Sequence, residues 1–218
     1  MAYDFDKIAR DYDRMNHLMT LGLDRWWRKK AVKGLGGKVL DVACGTGDMV
    51  VELLRLGCTV TGVDLSKEML AIAKRKAESG KWKVADAEHL PFEDNTFDAV
   101  TCAFGVRNFV HLERGLKEML RVLKPGGRMV ILELATPDSP LVRPFYNLYT
   151  RRIIPWLGQR MAGSREAYTY LPRSIERFPK GDEFVGIVRQ LGCEATERKT
   201  TFGVCRIYTA EKTKGPLT

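Results

Sequence analysis

The sequence predicts an α/β fold: a doubly wound, mostly parallel sheet with a terminal antiparallel hairpin and a helical insert before the hairpin. Two observations lead there. From Lys38 to Leu134, short apolar runs alternate with helical periodicities, a βαβα order that requires parallel strands. The first run closes on a glycine-bearing turn, "LDVACGTGD" (40–48), at the point where such sheets usually bind a nucleotide.

Each element has its own signal. "KVLDVA" (38–43) reads as the first strand, followed by a helix from about Asp48 to Leu56. "CTVTGVDL" (58–65) is the second strand, and Ser66 can cap the next helix, which carries Met69, Leu70, Ile72 and Ala73 on one side. "WKVADA" (82–87) and "FDAVTCAF" (97–104) supply the third and fourth strands. Leu112, Leu116, Met119, Leu120 and Leu123 share one helical face, "KPGG" (124–127) ends that helix, and "RMVILEL" (128–134) is the fifth strand. A helix near Glu183–Leu191 leads to "CEATERKT" and "GVCRIYTA", the expected hairpin. The organisation expected is one domain over 1–218. It has a helical cap (1–37), a nucleotide-type core (38–135), a basic aromatic insert (136–181) and a C-terminal helix with hairpin (182–212).

Composition narrows the class. The chain has 218 residues, 44% of them hydrophobic and 29% charged, ordinary values for a globular protein. No stretch reaches the roughly 20 apolar residues of a membrane span, and the polar start "MAYDFDKIARDYDR" is no signal peptide. Five scattered cysteines with no CxxC pair read as reduced core thiols of a cytoplasmic protein, not a metal site. The net charge of +9 is uneven: residues 141–180 hold eight basic and two acidic groups, whereas 39–140 hold thirteen and fifteen. A basic flank beside an acidic core is either a solvated surface or a face drawn to an anionic one.

The glycine turn discriminates among nucleotides. A dinucleotide site wants GxGxxG facing a pyrophosphate. Here Gly45 and Gly47 are followed by Asp48, with no third glycine, and an acid at that place repels a diphosphate. It suits a cationic ligand such as S-adenosylmethionine, a sulfonium with no phosphate. Asp41, Asp48, Asp64 and Asp86, near successive strand ends, agree. Asp64 follows Gly45 by nineteen residues, where a carboxylate can accept both ribose hydroxyls, and Asp86 lies within reach of an adenine amine.

These residues resemble the class I S-adenosylmethionine-dependent methyltransferases, whose fold is Rossmann-like. Within them, "YDRMNHLMTLGLDRWWR" (12–28), "ADAEHLPFEDNTFDAVTCAFGVRNF" (85–109), "MLRVLKPGG" and "YTYLPRSIERFP" (168–179) resemble the menaquinone/ubiquinone biosynthesis C-methyltransferase family over nearly the whole chain. The resemblance implies methyl transfer to a ring carbon of a prenylated quinol, demethylmenaquinol foremost. It implies that Thr46 contacts the cofactor, Asp64 holds the ribose, and Asp86 with the Ala87 backbone reads the adenine. Ala103 joins the cofactor set, although members of the family often carry a serine there. A homodimer is implied as well, with no metal.

Carbon methylation requires a phenolate, because an aromatic carbon is a poor nucleophile until a ring hydroxyl loses its proton. Arg107 and Asn108 lie just beyond the fourth strand, at the ligand-facing end of such a sheet. Arginine holds its proton too tightly to act as a base, so Arg107 is assigned to phenolate stabilisation and Asn108 to orientation. The alternative for Arg107 is pairing with a carboxylate. Tyr12, Asp13 and Asn16 can close the site from the N-terminal helix, and Tyr168 or Tyr170 from the insert; the segment after Thr200 is read as structural. The insert places Phe145, Tyr149, Ile153 and Trp156 at helical spacing beside Arg143, Arg151, Arg152 and Arg160. That pattern predicts weak, transient docking on the anionic inner face of a membrane. The rival reading is an O- or N-methyltransferase of a soluble small molecule. A nucleic-acid methyltransferase lacks its signatures here, with no Pro-Cys nucleophile pair and no Asn/Asp-Pro-Pro-Tyr motif.

Overall fold

Seven strands form one sheet, in the order β3-β2-β1-β4-β5-β7-β6, with apolar runs in its central strands and more polar ones, KWKV and CEATERKT, at its two edges. The computed structural model describes Asp6, residues 9–156 and residues 165–213, with side chains given except at 10, 11 and 165–169. Two helices, α1 (Ala9–Met19) and α2 (Leu23–Val32), precede β1 (Lys38–Val42). Then α3 (Asp48–Arg55), β2 (Thr59–Asp64), α4 (Lys67–Lys76) and β3 (Lys81–Val84) alternate, followed by β4 (Phe97–Ala103), α5 (Leu112–Val122) and β5 (Leu123–Leu134). These five strands pair in parallel, whereas β6 (Cys193–Thr200) and β7 (Cys205–Lys212) form the expected antiparallel hairpin, and β7 pairs antiparallel to β5.

Both faces of the sheet are buried, as parallel order demands. Along β5, Met129 and Ile131 enter one core, while Val130 and Leu132 enter the other. The first core is closed by Leu116, Met119 and Leu120 of α5 and by Phe184, Val185 and Val188 of α8 (Asp182–Gln190). The second is closed by Trp27 of α2 and by Met49, Val50 and Leu53 of α3. All five cysteines are buried and free.

Three local readings need correction. The third strand ends at Val84, so Asp86 sits in a turn beyond it, bridged to His89. "KPGG" lies inside β5: the β4 register jumps from Phe97↔Leu123 to Ala99↔Arg128, and Lys124–Gly127 bulge outward with Gly126 at φ 75°. In the insert, α6 (Arg143–Leu148) continues into a π-helical turn, Tyr149–Ile153, and α7 spans Arg165–Arg177. Phe145, Ile153 and Trp156 of the expected apolar stripe are exposed and Tyr149 is half-buried, while Ile154 turns inward. Arg160 and the side chain of Tyr168 lie outside the described residues.

Candidate active site

The carboxyl ends of β1, β2 and β4 converge on a cavity of about 530 Å³. Its floor is the glycine turn. Gly45 takes φ 54°, and its backbone N–H donates to Asp64 Oδ2 at 2.8 Å, while Ser66 N–H donates to Asp64 Oδ1 at 2.9 Å. Asp64 therefore both shapes the turn and faces the cavity. Burial pushes its carboxyl above the usual range, against the pull of those two backbone donors. Ser66 caps α4 as expected, its hydroxyl accepting from Met69 N–H at 3.0 Å.

Asp86, Ala87, Ala103 and Asn108 line the same cavity, as does Tyr12, lowered onto it by α1. Asp86 keeps one oxygen on the Glu88 N–H at 2.9 Å, and its side chain is half-exposed toward the mouth. His111 stands at the rim, exposed, at the first turn of α5 without capping it through its side chain. The acids Asp6, Asp64, Asp86 and Glu88 border this space, and Arg114 is the arginine among its lining residues. That donor set fits a nucleoside bearing a positive charge and does not fit a diphosphate.

Three residues assigned to the cofactor stand behind this wall. Gly47, at φ 84°, is held tight: a Cβ there would meet Ala73 Cβ and Trp82 at 3.1 Å. Thr46 is buried, and its hydroxyl donates to the Asp13 carboxylate. Asp41 is buried in β1; Thr101 Oγ1 donates to it at 2.6 Å, and its other oxygen has no partner among the described residues. Burial pushes the Asp41 carboxyl up to about 7. Asp48, read as a partner for a cationic ligand, is instead met by protein side chains: the cations Lys76, Nζ at 2.7 Å, and Arg28 at 3.8 Å, and the His17 ring at 3.9 Å. Lys76 also reaches Asp13 at 2.5 Å, so this cluster ties α1 to the glycine turn.

A second, apolar cavity of about 330 Å³ adjoins the first, and Tyr12 and Phe104 line both. Trp27, Tyr146, Leu171 and Ile175 are among its walls, and Arg107 is its buried cation. Arg107 Nη1 donates to Glu133 Oε1 at 2.6 Å and to the Phe104 carbonyl at 2.5 Å. The alternative reading of Arg107 thus holds together with the first, because the arginine is paired to a carboxylate and still borders the cavity. Burial alone would disfavour its charge, but Glu133 and Tyr12 outweigh that and hold its pKa above the ordinary value. Burial pushes the Tyr12 and Tyr146 hydroxyls up, with Arg107 opposing in both. Tyr170 OH donates to Asn108 Oδ1 at 3.0 Å, which fixes the amide from the insert side. A third cavity, about 430 Å³, opens beside Arg107 between Tyr170, Arg173 and Arg177, away from the glycine turn.

Residues 2–212 match the ubiE/COQ5 methyltransferase family. The chain belongs to it. It is 44% identical to the ubiquinone/menaquinone biosynthesis C-methyltransferase of Geobacter sulfurreducens, over 95% of this chain and 86% of that one. It is 40% identical to a demethylmenaquinone methyltransferase of Bacteroides fragilis, over 95% and 90%. With a mitochondrial 2-methoxy-6-polyprenyl-1,4-benzoquinol methylase of Caenorhabditis elegans the identity is 41%, over 95% and 78%. Among solved structures, S-adenosylmethionine-dependent methyltransferases of Thermotoga maritima and Aquifex aeolicus share the fold. Their TM-scores are 0.68 and 0.62 at 21% and 18% identity; the first comparison covers 96% of this chain and 98% of that one, the second 91% and 97%.

Sequence reasoning missed Glu133, Phe104, Tyr146 and the pair Thr201–Phe202, all of them at the arginine or in the apolar wall. Glu133 had a signal, a lone acid inside the apolar run "RMVILEL". Tyr146 was one tyrosine among several in the insert, and Thr201–Phe202 fell in the stretch read as structural.

Proposed function

We propose that this methyltransferase transfers a methyl group from S-adenosylmethionine to a ring carbon of a prenylated quinol, with demethylmenaquinol the foremost substrate. One observation carries the reading: a nucleoside-sized cavity edged with acids shares the Tyr12–Phe104 wall with an apolar cavity that contains a paired, charged arginine. The bound cofactor supplies an electrophilic methyl group on a sulfonium. Asp64 receives the ribose hydroxyls, Asp86 and the Ala87 backbone receive the adenine, and Ala103 paves the floor. Thr46, Gly47 and Asp41 act one layer back by fixing the shape of the turn.

In the adjoining cavity the quinol ring lies against Tyr12 and Phe104, near Arg107. A phenol of pKa near 10, with tyrosine as the guide, ionises more readily beside a guanidinium, whose charge stabilises the phenolate. Arg107 supplies that charge and keeps its own protons, so the quinol proton leaves to water. Asn108, fixed by Tyr170, orients the ring. Much of the work is positioning of the nucleophilic carbon for in-line attack, in which its new bond to the methyl group would form as the sulfur–methyl bond breaks; the hydrogen on that ring carbon would then leave to water as a proton and restore the aromatic ring. Docking at an anionic membrane surface brings the protein to its lipid-tailed substrate, supported by the eight basic and two acidic groups of residues 141–180. No helix among the described residues is long and apolar enough to cross a membrane.

Tail length tests this against a soluble small-molecule substrate. Each buried methylene contributes about 0.8 kcal/mol, so the first isoprene units should raise kcat/KM at least tenfold each. Steady-state rates with quinols bearing zero, one, two and three units measure it. Rates indifferent to the tail, with a soluble catechol methylated as well, would favour the O-methyltransferase reading.

A further inference from the structure

The apolar cavity is rimmed by three separate stretches of chain. Leu21 comes from the turn between α1 and α2 and Leu23 from the start of α2; Phe145 comes from α6 and Phe202 from the turn between β6 and β7. All four line that cavity, and three are among the most exposed large apolar side chains: Leu21 at 75%, Phe145 at 75% and Phe202 at 80%. Leu141 and Trp156 extend the exposed surface along the insert.

The backbone adds an independent observation. Leu21 has φ 52° and Phe202 φ 56°, the left-handed region that glycine enters freely and bulky residues rarely. Two turns from distant parts of the chain thus each hold a large apolar side chain outward in a strained conformation, at one cavity mouth. Water rewards neither the strain nor the exposure, whereas an apolar partner rewards the exposure. Charge indicates which partner. Residues 141–156 contain Arg143, Arg151 and Arg152 and no acid. All three are exposed: Arg151 reaches Glu176 on α7 at 2.6 Å, and Arg143 donates to the Pro137 and Asp138 carbonyls at 3.2 Å and 3.4 Å.

We propose that this rim is a membrane-docking collar. Leu21, Phe145 and Phe202 enter the headgroup–acyl boundary of an anionic bilayer while Arg143 and Arg152 meet its phosphates. The cavity mouth is then set in the membrane surface, and a lipid tail passes inward without crossing water. The quinol reading above is needed only to say whose tail it is.

The Leu21→Gly/Phe202→Gly double variant removes two apolar tips and suits both backbone angles, so it folds at least as stably as the parent. Phe145→Ser, on a regular helix, is the second variant. Full-length proteins are sedimented with phosphatidylglycerol/phosphatidylcholine vesicles and with phosphatidylcholine alone, at low and high salt. The parent should partition onto the anionic vesicles, less at high salt. Each variant should lose at least tenfold in partitioning, with cofactor affinity unchanged by calorimetry and, for the glycine pair, a melting temperature equal or higher. A parent that stays in solution with anionic vesicles at low salt overturns the collar, as do variants that bind like the parent. A parent dimer in sedimentation velocity that the glycine pair splits, with no vesicle binding, assigns the rim to a second copy and also overturns it. Vesicle binding through the collar without methylation of any prenylated quinol would leave the collar standing and remove the substrate reading instead.

Discussion

Glu133 decides how Arg107 can act. It is 1% exposed, and its carboxylate takes the guanidinium at 2.6 Å and the Leu134 N–H at 2.9 Å. Removing one partner of a buried pair costs about 3–5 kcal/mol, so Glu133→Gln should destabilise the fold measurably in urea. Turnover should fall at least tenfold because the guanidinium loses its orientation, while calorimetric affinity for S-adenosylmethionine stays within about twofold. Loss of cofactor affinity in step with turnover would move Arg107 into the cofactor pocket. Asp41 carries a pH signature. Its folded pKa of about 7 lies above the unfolded value of about 3.9, so between those values the folded state holds a proton that the unfolded chain has released. Stability from this group is full at low pH and lost as pH rises through that window. At pH 8 Asp41→Asn should therefore be the more stable protein, by on the order of 2–4 kcal/mol, and at pH 4 the two should match. Parallel stability–pH curves for the two in denaturant titrations would show that Asp41 does not titrate this way.

At the scale of elements, the parallel core was legible because each strand is a short apolar run and each helix has a capped or one-sided pattern. Ser66 and the α5 leucines stand where periodicity put them. Asp64 was legible too, since its place at the end of β2 follows from the glycine turn and the spacing. What stayed hidden depends on contacts between distant segments. The Lys124–Gly127 bulge is a matter of pairing with β4, and the π turn of the insert breaks a helical spacing that looked regular. Asp48 looked like a ligand because Lys76, Arg28 and His17, which meet its carboxylate, lie twenty or more residues away in sequence. Thr46 was given to the cofactor by the family resemblance, and its bond to Asp13, which spans 33 residues, left no trace in the local sequence. Phe202 escaped because a strained turn between two ordinary strands leaves no periodic trace.

Across the whole molecule, the proposed function rests on two cavities with unlike linings meeting at Tyr12 and Phe104, between a sheet that supplies acids and an insert that supplies apolar walls. Neither lining alone specifies the reaction; in the proposed reading their shared wall would bring a sulfonium methyl beside an apolar ring. The direct measurement is transfer from S-adenosylmethionine carrying a trideuterated methyl group to a demethylated prenyl quinol, with mass spectrometry locating the label. Label on a ring carbon of the quinol, absent with Arg107→Ala and weak with a tail-less quinol, is the expected result. Label on an oxygen, or no transfer to the quinol while a soluble phenol is methylated, would contradict it.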